Sequence, residues 1–191
     1  DKYGNWVVVD DLSSSDWLQK AFSASLNNDC EQAIDFYNKA IELNPLSSSS
    51  YVNMGKCYGE LGNISKEVES YQRALEINPN NSMALNNIGL KYYENGNIEE
   101  AIEYYRKSIE IEPELALPYY NFGIYYRDKQ NYLKASEYFN KSMELNPFDV
   151  DAYINLGYII EMGGNLSQAL NLYNKAYEIE PNNIEVNNNL A

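Results

Sequence analysis

The sequence predicts an all-α fold of stacked antiparallel helix pairs, and three observations carry that prediction. Proline recurs every 34 residues, at Pro45, Pro79, Pro113, Pro147 and Pro181. Glycine keeps the same interval at Gly55, Gly89, Gly123 and Gly157, with Ala21 and Ala191 at the flanking equivalents. Between these markers apolar residues fall at helical spacing rather than at the alternation of a strand. A fixed period of this length marks an array of supersecondary units, each unable to bury its apolar face alone.

With each proline set at position 32, the repeats run 14–47, 48–81, 82–115, 116–149 and 150–183, and a partial sixth covers 184–191. The first helix of a unit is apolar at positions 4, 7, 8 and 11, as in Tyr153, Leu156, Gly157 and Ile160. A turn follows, written Gly62-Asn63, Gly96-Asn97 and Gly164-Asn165. Glycine supplies the conformation that ends one helix, and asparagine caps the next. Asn97 with Glu100, Asn165 with Gln168 and Asp29 with Gln32 have the spacing of capping boxes. The second helix carries Ala101, Tyr105 and Ser108 at positions 20, 24 and 27, then stops before its proline. Small residues at 8, 20 and 27 let helices approach, and aromatics at 4, 11 and 24 fill the space between them. Residues 1–13, DKYGNWVVVDDLS, show no repeat and read as a separate N-terminal arm. The partial last helix reads as a cap on the stack or as the edge of a longer array.

This pattern resembles the tetratricopeptide repeat: a large residue at 4, Gly or Ala at 8, Tyr at 11, Ala at 20, an aromatic at 24, Ala at 27 and Pro at 32. The resemblance covers residues 14–191 in five successive units. Lys20 stands at an apolar position, Glu67 replaces the alanine at 20, and Leu85 replaces an aromatic at 4. These departures are expected to loosen packing locally. The resemblance implies a right-handed α-solenoid whose first helices line the inside, with an extended concave surface and only nearest-neighbour packing.

Composition narrows the function. The formal charge is −14, from 14 Lys and Arg against 28 Asp and Glu. That balance argues against nucleic acid and anionic membrane surfaces as partners, since both are bound through Lys and Arg. There is no histidine, which removes the commonest general base and metal ligand. Cys30 and Cys57 form neither a disulfide framework nor a CxxC pair and read as two unrelated thiols. No Gly-rich phosphate loop, nucleophile motif or metal-spaced cluster occurs, so no catalytic residue, metal or cofactor is expected. No apolar run reaches the roughly 20 residues of a membrane span. The compartment is cytoplasmic by default, and the chain starts at Asp1 rather than Met.

On a helical wheel, positions 2, 5, 6, 9, 12 and 13 of the first helix lie opposite the core positions. Position 6 is an amide in every unit: Gln19, Asn53, Asn87, Asn121, Asn155 and Asn189. Asparagine is frequent at this position in the family, so inherited habit stands beside a binding role. A carboxamide offers an acceptor and two donors, which suits it to the main chain of an extended peptide. The row resembles the asparagine ladder lining the superhelix of the O-linked N-acetylglucosamine transferase. The resemblance extends to the position 6 residues only. Around it lie the acids Glu60, Glu94 and Asp128 at position 13 and Glu161 at position 12, interrupted by Lys56 and Arg127. Such a stripe is either a solvated face or a preference for neutral to basic segments. Tyr93, Tyr120 and Tyr158, at positions 12, 5 and 9, are candidate contact anchors.

Tetratricopeptide clamps for chaperone C-terminal carboxylates carry Lys at 5 and Asn at 9 of one repeat, Asn at 6 of the next, and Lys at 2 with Arg at 6 of the third. Here the first and third of those repeats hold Val52, Lys56, Leu117 and Asn121 instead, so chaperone tails are not the expected ligand. The reading is a non-catalytic scaffold that binds a partner's peptide segment. Two alternatives stand beside it: a self-assembling scaffold, in which the Trp6 to Val9 arm docks into a neighbour, and the substrate-recruiting region of a larger enzyme such as a glycosyltransferase.

Overall fold

The computed structural model describes residues 12–190, so the Trp6 to Val9 arm lies outside the described residues. The chain divides into two compact units, the first ending at Ala84 and the second beginning at Leu85. The first holds α1 (Ser14–Leu26), α2 (Cys30–Leu43), α3 (Ser48–Glu60), α4 (Ile64–Ile77) and the start of α5 (Ser82–Glu94). The second holds the rest of α5, then α6 (Ile98–Ile111), α7 (Ala116–Asp128), α8 (Tyr132–Leu145), α9 (Val150–Met162), α10 (Leu166–Ile179) and α11 (Ile184–Leu190). Within each unit consecutive helices form antiparallel hairpins, and no strand occurs among the described residues. The expected all-α helical-repeat class is the one observed.

Each hairpin turn uses one backbone solution. The residue at position 15 has positive φ in all five repeats: Asn28 at 59°, Gly62 at 74°, Gly96 at 79°, Gln130 at 56° and Gly164 at 84°. The next residue sends its N–H back to the carbonyl of position 11, as in Asn63 to Tyr58 at 2.8 Å and Asn131 to Tyr126 at 2.8 Å. The position 15 N–H bonds the carbonyl of position 12, as in Gln130 to Arg127 at 2.8 Å. This is the Schellman pattern, which satisfies the orphan carbonyls at the end of the first helix. At the far end of each second helix the residue before proline is extended, for example Asn78 at φ −134° and ψ 94°. Steric exclusion of the helical conformation before proline enforces that stop.

None of the three expected capping boxes closes fully: two make only the side-chain half, and the third makes neither bond. Asp29 accepts from the Gln32 N–H at 3.1 Å and Asn165 from the Gln168 N–H at 3.2 Å. The Asn97 side chain makes no capping bond; that helix starts instead with Glu99 and Glu100 in its first turn, whose charge complements the helix dipole. A full capping box forms where none was expected, between Ser13 and Asp16 at the start of α1, with the Ser13 N–H on Asp16 at 2.9 Å. Ser13, the last residue assigned to the arm, thus caps the first repeat.

The core is made by rings lying on glycines. A β-carbon added at Gly123 would meet the Phe139 ring at 2.5 Å, and one at Gly157 would meet the Tyr173 ring at 2.5 Å. Positions 20 and 27 are fully buried small residues, such as Ala101 with Ser108 and Ala135 with Ser142. Glu67 is held inside its repeat. It is 4% exposed, and its carboxyl group occupies the space over Gly59, where an added β-carbon would come within 2.8 Å. Tyr71 also donates to it at 3.4 Å. Lys20, by contrast, stays at the surface, with its ammonium 4.9 Å above the Trp17 ring, and Leu85 is buried in the position an aromatic would fill.

Two stability outcomes follow. Gln130→Gly should raise unfolding free energy by about 1 kcal/mol, because glycine adopts the left-handed conformation without a β-carbon clash. Gly157→Ala should lower it by about 2 kcal/mol through overpacking against Tyr173. Urea denaturation followed by circular dichroism measures both.

Candidate functional site

The position 6 amides sit in unequal surroundings. Gln19 on α1 and Asn189 on α11 are exposed, and Asn53 on α3 and Asn155 on α9 are half-buried. Asn87 on α5 and Asn121 on α7 are each only 8% exposed, although the wheel had placed the whole row away from the core. Their neighbours explain the burial. Asn121 donates through Nδ2 to Asn86 Oδ1 at 2.9 Å, and Asn86 donates to Asn87 Oδ1 at 3.2 Å. Three side-chain amides thus join in series across two repeats, while Nδ2 of Asn87 has no hydrogen-bond partner.

Asn155 belongs to a second network in the same unit. Its Nδ2 donates to the Asp151 carbonyl at 2.8 Å and to the Tyr120 hydroxyl at 3.4 Å. Its Oδ1 accepts from Nη1 of Arg127. Nε and Nη2 of Arg127 donate to Asp128 Oδ1 at 3.0 Å and 2.9 Å. The Tyr93 hydroxyl donates to the other oxygen of Asp128 at 2.7 Å. Tyr93, Tyr120, Asp128 and Asn155, four of the expected site residues, therefore meet around one guanidinium. Burial pushes the Tyr120 phenol up to about 12, with Asp151 and Asp149 adding to it. Burial and the Asp128 carboxylate push the Tyr93 phenol above its usual range as well. Both phenols stay protonated at neutral pH; Tyr93 donates to Asp128, and Tyr120 accepts from Asn155.

The acidic stripe is tied to the scaffold. Glu94 takes an ion pair from Lys91 at 3.0 Å. Glu161 accepts from the Tyr173 hydroxyl at 2.7 Å, and Glu60 from the Cys30 thiol at 2.8 Å. Tyr158 is the free member of the aromatic set, half exposed on α9.

The two cysteines are not unrelated. Cys30 and Cys57 are both buried in one cluster with Ala33, Tyr37 and Met54, and Cys57 lies 3.1 Å from the Ser25 hydroxyl. Burial first, then the Glu60 acceptor and neighbouring Cys57, push the Cys30 thiol well up, so it remains protonated. Among the described residues no group of side chains is placed to hold a metal ion, and no helix is long and apolar enough to cross a membrane.

Sequence reasoning passed over Asn86 and underrated Arg127. Asn86 sits beside a ladder residue, and the Asn86-Asn87 pair was the signal available. Arg127 showed only as an interruption of the acidic stripe. Its role depends on Asn155, 28 residues further along the chain.

Models of the tetratricopeptide repeat match residues 17–45 and 48–81, 82–115, and 120–184. A comparison with curated proteins gives no match. Among solved structures, the chain is similar to one in the APC/C hetero-tetramer Cut9-Hcn1, with TM-score 0.78 and 21% identity. The match covers 93% of this chain and 35% of that one, so the chain spans about a third of that relative. It is also similar to pilF of Pseudomonas aeruginosa, with TM-score 0.74 and 22% identity over 91% of this chain and 79% of that one. A third is YrrB, described as a TPR protein with an unusual peptide-binding site, with TM-score 0.55 and 22% identity over 92% and 91% of the two chains. These repeats support the role of a protein–protein interaction scaffold, and the chain belongs to the tetratricopeptide-repeat family.

Proposed function

We propose that the chain holds an extended segment of a partner protein against the first-helix face of its repeats, partly through main-chain contacts to the position 6 amides. The observation that carries this reading is the orientation of those amides by side chains of the preceding repeat. Asn121 is held by Asn86 and Asn155 by Tyr120, each across 35 residues of sequence. Preorganised polar groups bind with less ordering cost than free ones. The unpaired Nδ2 of Asn87 supports the same reading, because a buried donor without a partner is costly until an acceptor reaches it. Tyr158, Tyr120 and Tyr93 supply aromatic contacts beside the row.

The partner segment is neutral to basic. Each acid of the stripe has an intramolecular partner, which mutes local repulsion, yet the net charge of −14 favours cationic ligands over anionic ones. The role is non-catalytic: the hydroxyls, thiols and carboxylates of the site bond one another within the scaffold. YrrB's described peptide-binding site is consistent with recognition of a peptide on this fold. A recruiting region within a larger enzyme would use the same surface.

Capture of partners from native lysate tests the row. Asn87→Ala/Asn121→Ala/Asn155→Ala, checked for unchanged helicity at the assay temperature, should bind about 100-fold more weakly, three hydrogen bonds at about 1 kcal/mol each. Equal capture by parent and variant refutes the amide row. Separately, Arg127→Met removes the hub that joins Asp128 to Asn155 and should lower unfolding free energy by about 1–2 kcal/mol in urea denaturation.

A further inference from the structure

A second surface in the C-terminal unit has opposite character. Between α6, α7 and α8 lie two adjoining cavities of about 270 and 300 Å³ that share Tyr119, Tyr126 and Tyr138 in their walls. The tyrosines are half-buried and held as a stack, with Tyr126 5.3 Å and Phe122 5.1 Å from the Tyr138 ring. Cations surround them: Lys134 lies 5.0 Å above the Tyr126 ring, and Lys141 and Arg106 complete the rim. Against Glu110 and Glu137 the lining carries three positive and two negative charges, a net +1 in a chain of −14. Lys141 also pairs with Glu144 at 3.0 Å, an exposed contact that contributes little.

The same repeat positions form a cavity of about 470 Å³ in the N-terminal unit, lined by Tyr51, Tyr58, Lys66, Glu69, Ser70 and Arg73 among others. It differs in two respects. Ser70 replaces the central tyrosine, and Glu69 and Glu76 balance its two cations, with Arg73 clamped to Glu76 at 2.6 Å. That cavity is neutral and less aromatic, and it serves as an internal control.

We propose that residues Trp6 to Asp11 of a second copy dock in the cleft of α6, α7 and α8. This segment, Trp6-Val7-Val8-Val9-Asp10-Asp11, joins an aromatic anchor to two carboxylates through three β-branched residues that favour an extended chain. In that conformation Trp6, Val8 and Asp10 share one side, with Trp6 and Asp10 about 13 Å apart. Trp6 enters among Tyr119, Tyr126 and Tyr138, and the carboxylates meet Lys134, Lys141 and Arg106. Only Leu12 separates Asp11 from Ser13, the cap of α1 in the first repeat, whereas the third and fourth repeats build the cleft. Arm into cleft is a heterologous contact, so it adds copies head to tail. The proposal is independent of the first-helix face.

Light scattering of the full chain over a wide concentration range tests it. Mass should rise with concentration, and Trp6→Ala or Lys134→Glu/Lys141→Glu should weaken association about 30-fold, as for loss of a central anchor. Lys66→Glu/Arg73→Glu should leave it unchanged, as should Asn87→Ala/Asn121→Ala/Asn155→Ala. Adding Asp10→Lys/Asp11→Lys to Lys134→Glu/Lys141→Glu should restore association by exchanging the charges. A chain that stays monomeric at every concentration overturns the proposal, including one whose Trp6 emission shows it buried against its own chain. Association that survives Lys134→Glu/Lys141→Glu overturns it too.

Discussion

The ring at position 24 lying directly on the residue at position 8 is the contact on which the other features depend. At Gly123 and Gly157 the space for even one methyl group is already taken by Phe139 and Tyr173. Two helices brought this close leave room only for small residues at 20 and 27, where Ala101, Ser108, Ala135 and Ser142 are fully buried. That spacing in turn sets how short the connecting turn must be. The left-handed residue at position 15 and the two Schellman bonds beside it close the hairpin in every repeat, even where the residue is Asn28 or Gln130 instead of glycine. Packing overrides the local preference there, because the helix pair has no other geometry available.

The departures from the repeat pattern are absorbed by pairwise complementarity. Glu67 is too large for position 20, but Gly59 removes the side chain that would oppose it. Lys20 leaves its apolar position for the face of Trp17, where the ammonium keeps both water and the ring. The solenoid class tolerates such exchanges because each repeat answers only to its neighbours.

On the first-helix face, polar side chains complete a structure as well as present a surface. Asn155, Arg127, Asp128 and Tyr93 bond one another, so the orientation of these polar groups is fixed by the fold. The cleft of α6, α7 and α8 in the C-terminal unit carries the contrasting chemistry, tyrosines under a rim of cations.

By itself the sequence determined the repeat, its helices, its turns and the apolar positions of the core. These depend on short-range rules: steric exclusion before Pro79, left-handed backbone at Gly62, apolar spacing along each helix. Repetition multiplied each signal until chance patterns were excluded. Only the tertiary structure decided which polar groups meet. Asn121 finds Asn86 across 35 residues, Cys30 finds Glu60 across 30, and Asn97 leaves its expected cap unmade beside two glutamates. Such pairings turn on side-chain rotamers and on the offset between adjacent repeats. A helical wheel carries neither quantity, which is why it placed Asn87 and Asn121 in solvent when their neighbours bury them.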